Sequence, residues 1–163
     1  MTFLIDASTL IVLKNRDFPV EMNPDFWAWL ESLCLRGTVL IPREVRNEIL
    51  KGADALTDWI RRLDGTVFVP AQTGARHLSR VLATYSTPMT SQALGVLQSK
   101  ADPYLIAHAL AMGRAVITDE GSKPDTIRPE RKKIPDICRQ LGVHCVHITR
   151  LMWDHRATLP PIA

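Results

Sequence analysis

Five short runs of apolar, largely β-branched residues recur along the chain, and they constrain its fold more than any other feature. They occupy residues 3–5, 38–41, 66–69, 115–118 and 143–148. Each run is almost continuously apolar instead of alternating with polar residues. That pattern is typical of strands that are buried on both faces of a parallel sheet. The sequence therefore predicts a central parallel sheet covered by helices.

Helical segments fill the gaps between these runs. One begins at Asn23 and Pro24, a capping residue followed by a proline suited to the first turn, and ends at Gly37. We expect further helices over residues 43–51, 57–63, 72–83, 90–97, 101–112 and 135–141. Strands and helices thus alternate along the chain, which predicts an α/β fold of the three-layer α/β/α sandwich type. A chain of 163 residues suits a single domain spanning residues 1–163.

Composition excludes several classes of protein. Hydrophobic residues make up 46% of the chain, so a disordered or fibrous protein is not expected. No apolar run reaches the length of a transmembrane helix, and the first residues do not resemble a secretory signal. The three cysteines, Cys34, Cys138 and Cys145, are odd in number and widely spaced. We therefore expect reduced thiols and a cytoplasmic location.

A zinc site near Cys145 is an alternative, because His144 and His147 flank this cysteine. Structural zinc sites need four ligands, and the other cysteines show no paired spacing. The pattern favours a strand whose residues alternate between the core and the solvent.

Carboxylates follow two of the predicted strands. Asp6 follows the first run, and Asp119 and Glu120 follow the fourth. Ligands bind beyond the carboxyl ends of the strands in open parallel sheets. A single acidic residue in that position is common, so each is weak evidence when taken alone.

Two predicted helices add a carboxylate each. Asp102 precedes Leu105 and Ile106 by three and four residues, which places it on the apolar face of its helix. Glu48 follows Val45 by three residues and is predicted on the inward side of its own helix. The alternatives are a helix cap for Asp102 and a solvated side chain for Glu48. Only the combination of the four acids carries the argument.

The mutual repulsion of converging carboxylates must be offset: like charges at close range raise each other's pKa, or else cations bind between them. No lysine stands in the four motifs themselves to supply the positive charge. Hard divalent ions with oxygen ligands, Mg²⁺ or Mn²⁺, fit the set Asp6, Glu48, Asp102 and Glu120. Two such ions can activate a water and stabilise the leaving oxygen in phosphodiester hydrolysis.

The four motifs, taken in order, resemble those of the PIN domain, and in particular the VapC toxin ribonucleases. Residues 3–11 resemble the opening strand, with its acid and small hydroxyl residue, and residues 44–50 resemble the second motif, with the family acid at Glu48. Residues 101–110 resemble the third motif and residues 115–120 the fourth, in which a threonine precedes an acid by two residues. The resemblance covers nearly the whole chain.

The resemblance implies strand order 3-2-1-4-5 and a metal-dependent endoribonuclease. Its catalytic and metal-binding residues would be Asp6, Glu48, Asp102 and Glu120, with Ser8, Thr118 and Asp119 in support. It also implies a small antitoxin partner, and often a homodimer. The family usually has Asp where this chain has Glu120, so either Glu120 or Asp119 can be the fourth acid. This departure keeps a second hypothesis open, a PIN-like module that binds RNA or protein without cutting.

The segment 121–134 carries five basic residues and two acidic ones, directly after the fourth motif. The basic residues are Lys123, Arg128, Arg131, Lys132 and Lys133. They are candidates for binding RNA phosphates, with an affinity that falls as salt rises. The alternative is an ordinary solvated loop.

The helix after Asn23 carries Phe26, Trp27 and Trp29 within four residues. We expect this helix in the core, with an interface to an antitoxin or a second copy as the alternative. The chain lacks the glycine-rich loops of nucleotide-binding proteins and an Asp-x-Asp motif after the first strand, which argues against a nucleotide-binding or phosphatase fold.

Overall fold

The computed structural model describes residues 1–86 and 88–161, in which parallel strands form one sheet in the order β3-β2-β1-β4-β5. The strands are β1 (Phe3–Ile5), β2 (Val39–Pro42), β3 (Phe68–Val69), β4 (Ala115–Ile117) and β5 (Cys145–Val146). In the centre, Phe3 of β1 lies opposite Val39 of β2 on one side and Ala115 of β4 on the other. The α/β class and the strand order expected from the sequence are confirmed.

Helices connect and follow the strands. They are α1 (Ala7–Val12), α2 (Pro24–Leu35), α3 (Arg43–Ile49), α4 (Ala55–Arg62), α5 (Ala75–Tyr85), α6 (Ser91–Gln98), α7 (Asp102–Met112), α8 (Ile134–Leu141) and α9 (Ile148–Asp154). A π-helical turn, Leu13–Asp17, continues α1, and 3₁₀ turns form at Gly65–Val67, Ala71–Gly74 and Pro129–Arg131. As the sequence suggests, left-handed glycines follow α2, α7 and α8: Gly37, Gly113 and Gly142.

The two faces of the sheet are covered by different helices. Phe3 and Ile5 of β1 pack in one apolar cluster with residues of α1, α2, α4 and α9. Leu4, which points to the opposite face, packs in a second cluster with residues of α5, α7 and α8. This arrangement gives three layers, and it explains why the strands are apolar on both sides.

Helices α1 and α9 were not expected from the sequence. The segment of α1 is rich in Thr, Ile and Val, which favour strands, yet the chain turns into a helix directly after Asp6. The predicted run 143–148 is a two-residue strand, and Ile148 already begins α9. Among the described residues, no helix combines the length and the apolar character needed to cross a bilayer.

Candidate active site

The carboxyl ends of β1 and β4 place Asp6 and Thr118 side by side. The backbone N–H of Asp6 donates to the carbonyl of Ile117 over 3.0 Å, which extends the ladder between the two strands by one bond. Thr118 Oγ1 then donates to Asp6 Oδ2 over 3.0 Å, and the hydroxyl of Ser8 donates to the same oxygen. The side chain of Asp6 is thereby held in one orientation, although only 2% of the residue is exposed.

Asp102 is the first residue of α7, and it is half-buried. Its side chain makes no cap for the helix, so the capping interpretation is wrong. No residue in the described ranges forms a hydrogen bond or an ion pair with this carboxylate. Its oxygens instead face a cavity of about 470 Å³ that Glu120 also lines. The carboxylate is therefore available to a ligand.

Of the two acids that follow β4, Glu120 and not Asp119 lines the cavity of Asp102. Asp119 turns away from the cluster, and its Oδ1 lies 2.9 Å from His147 Nε2 and 3.8 Å from Arg16 Nη2. Glu120 faces the cavity with Asp102. Its Oε2 accepts a hydrogen bond of 2.9 Å from the backbone N–H of Ile134, and its Oε1 lies 3.3 Å from Lys133 Nζ. The alternation that follows β4 thus separates the two acids.

Glu48 lies at the rim of the cluster. The prediction that it shares the inward side of α3 is wrong, because Val45 and Ile49 are buried whereas Glu48 is exposed. A spacing of three residues rotates a side chain by about 60° from its neighbour on a helix, enough to bring Glu48 out of the core. Its negative charge nevertheless acts on Asp102 and raises the pKa of that carboxyl.

Burial and mutual repulsion disfavour the ionised forms of the two central acids. Burial raises the pKa of Asp6 to about 6, although the hydrogen bonds from Ser8 and Thr118 act in the opposite direction. Burial also raises the pKa of Asp102 to about 7, and the charges of Asp6 and Glu120 add to the effect. Such values are typical of carboxylates that await a cation.

Two residues near the acids, Tyr85 and Lys100, were not predicted from the sequence. Tyr85 is buried at the end of α5, and its hydroxyl has no hydrogen-bond partner among the described residues. Burial, followed by the charge of Asp102, raises the pKa of this phenol. Lys100 lines the cavity beside Asp102 and lowers the pKa of that carboxyl. Tyr85 had no local signal, whereas Lys100 stands only two residues before an acid already singled out.

The acids have basic neighbours that come from outside the four motifs. Lys133 pairs with Glu120, and the charge of Lys100 reaches Asp102. Neither lysine stands in the four short motifs, and the loops that precede α7 and α8 supply them. Asp6 and Asp102 still have no ion-pair partner within residues 1–86 and 88–161.

The donor set fits a magnesium or manganese ion held by few protein ligands. Asp6 and Asp102 offer hard oxygen donors with raised pKa values, and the unpartnered hydroxyl of Tyr85 lies near them. In the described part of the chain, no three His, Cys, Asp or Glu side chains form a compact metal cage. Mg²⁺ commonly uses one or two carboxylates and keeps several waters, so such a cage is not required.

Basic side chains also line the cavity of Asp102 and Glu120. They are Lys100, Lys123, Arg131, Lys132 and Lys133. Lys132 also donates to the backbone carbonyl of Tyr85 over 2.5 Å. Arg128 instead lines an adjoining cavity of about 500 Å³. Four of the five basic residues singled out in the sequence thus lie around the two acids.

The start of the 121–134 segment is fixed by Asp136 of α8. This buried carboxylate accepts hydrogen bonds from the Ser122 hydroxyl and, over 2.8 Å, from the backbone N–H of Lys123. Arg139 Nη1 lies 3.6 Å from it. The segment directly after the fourth motif is therefore anchored to the fold.

The structure also shows the surroundings of the three cysteines and of the aromatic helix α2. Cys34, Cys138 and Cys145 are free thiols, and the described residues hold no zinc-like group around Cys145. Phe26, Trp27 and Trp29 are at most 5% exposed, which confirms the core position of α2. The indole Nε1 of Trp29 donates to Thr158 Oγ1 in the C-terminal segment.

The chain belongs to the family described as "Domain of unknown function (DUF4411)", which matches residues 3–159. No curated protein and no solved structure matches the chain.

Proposed function

We propose that this DUF4411 protein is a PIN-like endoribonuclease that depends on Mg²⁺ or Mn²⁺ and hydrolyses phosphodiester bonds of RNA. The observation that carries the proposal is the convergence of Asp6, Asp102 and Glu120, which come from three distant segments, on the carboxyl edge of β1 and β4. Buried acids without cationic partners are costly to a fold, and function is the usual reason for keeping them.

The residues have distinct roles in this proposal. Asp6 and Asp102 would hold the ion together with Glu120, and Glu48 would act from the adjoining cavity that Lys100 also lines. Ser8 and Thr118 orient Asp6 through hydrogen bonds to one of its oxygens, which leaves the other oxygen for a ligand. A bound divalent ion would supply Lewis-acid stabilisation of the charge that develops on the phosphate.

The basic residues support a polyanionic substrate. Lys100, Lys123 and Arg131 line the same cavity as Asp102 and Glu120, so positive charges lie beside the two acids. Acids alone would repel RNA, so a nuclease needs cations on the approach to its carboxylates. This juxtaposition favours a phosphodiester over an uncharged substrate.

We further propose the biological role that the PIN resemblance implies, a toxin of the VapC type in the cytoplasm that is neutralised by a small antitoxin and assembles as a homodimer. Expression of the chain alone should then arrest growth, and Asp6→Asn should abolish the arrest. A small DNA-binding protein encoded next to this chain would support the role. Arrest that persists in Asp6→Asn would contradict it.

The direct test is cleavage of labelled RNA by the purified protein with Mn²⁺, with Mg²⁺ and with EDTA. We expect metal-dependent cleavage that falls below detection in Asp6→Asn and Asp102→Asn. Asp58→Asn is the matched control, because Asp58 is exposed on α4 and pairs only with Arg61 in the described structure. Cleavage that survives both active-site changes would exclude the proposed mechanism.

A second candidate function is an RNA- or protein-binding module without catalysis. The observation that favours it is the engagement of both Glu120 oxygens, one by Lys133 and one by the backbone of Ile134. Tight RNA binding without turnover at any divalent ion would select this function. Turnover with Mn²⁺ would exclude it.

A further inference from the structure

A second polar cavity adjoins the acidic one. It has a volume of about 330 Å³ and lies between α3 and the junction of α6 with α7. Among its lining residues are Glu44, Asn47, Gln98, Ser99, Lys100 and Tyr104. Lys100 lines both cavities. A strand whose phosphate lies at the acidic residues would therefore place a neighbouring nucleotide in the second cavity.

Glu44 is held in this cavity by a buried imidazole. Its Oε2 lies 3.0 Å from His108 Nε2, and His108 is 1% exposed. The other ring nitrogen, Nδ1, is buried and has no partner in the described residues. Placing the proton on Nε2 leaves Nδ1 as a bare lone pair, which costs less than a buried N–H without an acceptor. His108 then donates to Glu44.

Glu44 differs from the four acids predicted as metal ligands in having a histidine partner among the described residues. Glu48 lines the same cavity and raises the pKa of Asp102, as Asp6 and Glu120 do. Partial burial opposes ionisation of Glu44, but the hydrogen bond from His108 brings its pKa below the usual value. Glu44 therefore presents a carboxylate that can accept hydrogen bonds and cannot donate them.

The chemistry of the cavity selects one kind of base edge. A fixed carboxylate needs donors opposite its two oxygens, and the Watson–Crick edge of guanine offers N1–H and the 2-amino group side by side. Uracil presents a single N–H between two carbonyls, which a carboxylate repels. Single-stranded RNA is read on such edges, with the base stacked on an aromatic ring. Tyr104, whose hydroxyl is fixed on the carbonyl of Gln98, supplies a ring at this position.

We propose that the cavity around Glu44 binds a guanine base of single-stranded RNA, one nucleotide away from the phosphate held at the acidic cluster. This assignment rests on the proposed function for its substrate class, and it makes Glu44 a specificity-determining residue, positioned by His108. Asn47 and Gln98 lie in the same cavity with amides that can both donate and accept.

The test is equilibrium binding of fluorescent oligouridylates that carry one guanosine, inosine or adenosine, measured with Ca²⁺ in place of the catalytic metal. Inosine lacks only the 2-amino group of guanosine. We expect wild-type protein to bind the guanosine oligomer about 10-fold more tightly than the inosine oligomer. Equal affinities, or a preference for adenosine, would overturn the assignment without the use of any variant.

Glu44→Gln tests the residue itself. Its amide oxygen can still accept from His108, so the fold should persist, but its amino group opposes the donors of guanine. We expect the preference for guanosine over inosine to disappear, while the affinity for plain oligouridylate should not fall, because the carboxylate that repels uracil has been removed. Glu21→Gln, at an exposed position before α2, should keep the full preference. A preference that survives in Glu44→Gln would also overturn the proposal.

These outcomes separate the two proposals. Guanine preference in binding without any cleavage would contradict the nuclease and leave the base-binding site intact. Cleavage with no preference for guanine, in binding or at the cut site, would support the nuclease and refute the site. Cut positions mapped on a mixed-sequence RNA give the second readout, and Glu44→Gln should spread them over all four bases.

Discussion

At the scale of single residues, the central feature is a pair of acids whose pKa values are raised by burial and by neighbouring carboxylates. Asp6 and Asp102 have folded pKa values of about 6 and about 7, against 3.8 for an unperturbed Asp. The folded chain therefore binds these protons more tightly than the unfolded chain does. A divalent ion competes with the protons for the same oxygens, which links metal affinity to pH.

This linkage predicts opposite effects of pH with and without metal. In the metal-free protein, the free energy of unfolding should fall as pH rises from about 4 through about 7, by about 3 kcal/mol for Asp6 alone. Saturating Mn²⁺ should raise the melting temperature more at pH 8 than at pH 5. Differential scanning fluorimetry over this range measures both effects. An Mn²⁺ shift that is equal at both pH values would contradict the linkage.

The variants Asp6→Asn and Asp102→Asn isolate the two contributions. Each should flatten the pH dependence of the metal-free protein and reduce the Mn²⁺ shift, because each removes one buried charge and one ligand. Asp58→Asn on the exposed face of α4 should leave both quantities unchanged.

The choice between the neighbouring acids after β4 gives a second prediction at this scale. Glu120→Gln should lower the rate of RNA cleavage by about 10- to 100-fold, because Glu120 lies with Asp102 around one cavity. Asp119→Asn should leave the rate within a factor of about two, since Asp119 pairs with His147 outside that cavity. Single-turnover cleavage compares the two variants, and a larger loss in Asp119→Asn would reverse the assignment.

At the scale of elements, the close approach of the turn before α5 to α7 supports the position of His108. A Cβ at Gly74 would lie 2.7 Å from the backbone carbon of Ala107 and 2.9 Å from His108 Nδ1. Because the obstacle is backbone, it cannot move aside cheaply. Glycine at this position allows the turn and the helix to meet.

Gly74→Ala should therefore lower the free energy of unfolding by about 1–3 kcal/mol. Gly95→Ala is the matched control, because Gly95 lies inside α6 with nothing within 4 Å of its added Cβ. That change should raise stability by up to about 1 kcal/mol through helix propensity. Urea unfolding monitored by circular dichroism measures the free energy of unfolding of both variants. An unchanged value for Gly74→Ala would show that the turn and the helix do not pack this closely.

The sheet was predictable from the sequence because its strands are buried on both faces and read as unbroken apolar runs. Helix α1 was not, because Thr9, Ile11 and Val12 have strand propensities that the tertiary structure overrides. The position of Asp102 on α7 followed from helical spacing. Glu48 did not follow the same rule, because a spacing of three residues places a side chain at the edge of the buried face, where local packing decides its exposure.

Side-chain pairs between distant segments could not be predicted from the sequence. The bond between Glu44 and His108 joins residues 64 positions apart, and neither residue has a neighbour that hints at the other. The same holds for Tyr85, which the packing of α5 on α7 brings near enough for the charge of Asp102 to raise the pKa of its phenol. Such pairs depend on how the helices lie on the sheet, which periodicity alone does not specify.

At the scale of the whole molecule, three cavities adjoin one another through shared lining residues. Lys100 lines the cavities of Glu44 and Asp102, and Glu130 lines the cavity of Asp102 and that of Arg128. Basic residues are concentrated on the side of the 121–134 segment. We therefore expect that segment to bind the RNA backbone without reading the bases.

Removing these basic side chains should change the salt dependence of RNA binding. For single strands, the slope of log affinity against log salt is negative, and its magnitude decreases by about 0.7 for each phosphate that the protein no longer neutralises. Lys123→Ala and Arg131→Ala should each reduce the slope by about that amount, while the preference for particular bases stays constant. Lys51→Ala, at an exposed position beside α3, tests whether the cavity of Glu44 neutralises a phosphate of its own. An unchanged slope in both loop variants would place the RNA elsewhere.

The anchoring of Glu120 on the backbone of Ile134 has a consequence for protein synthesis. Asp6 is synthesised before the residues that surround it, and Thr118, which orients it, follows 112 residues later. A nascent chain that ends before Ile134 therefore carries the acids without the contact that holds Glu120. Translation itself would keep such a nuclease inactive until the segment that contains Ile134 has been made.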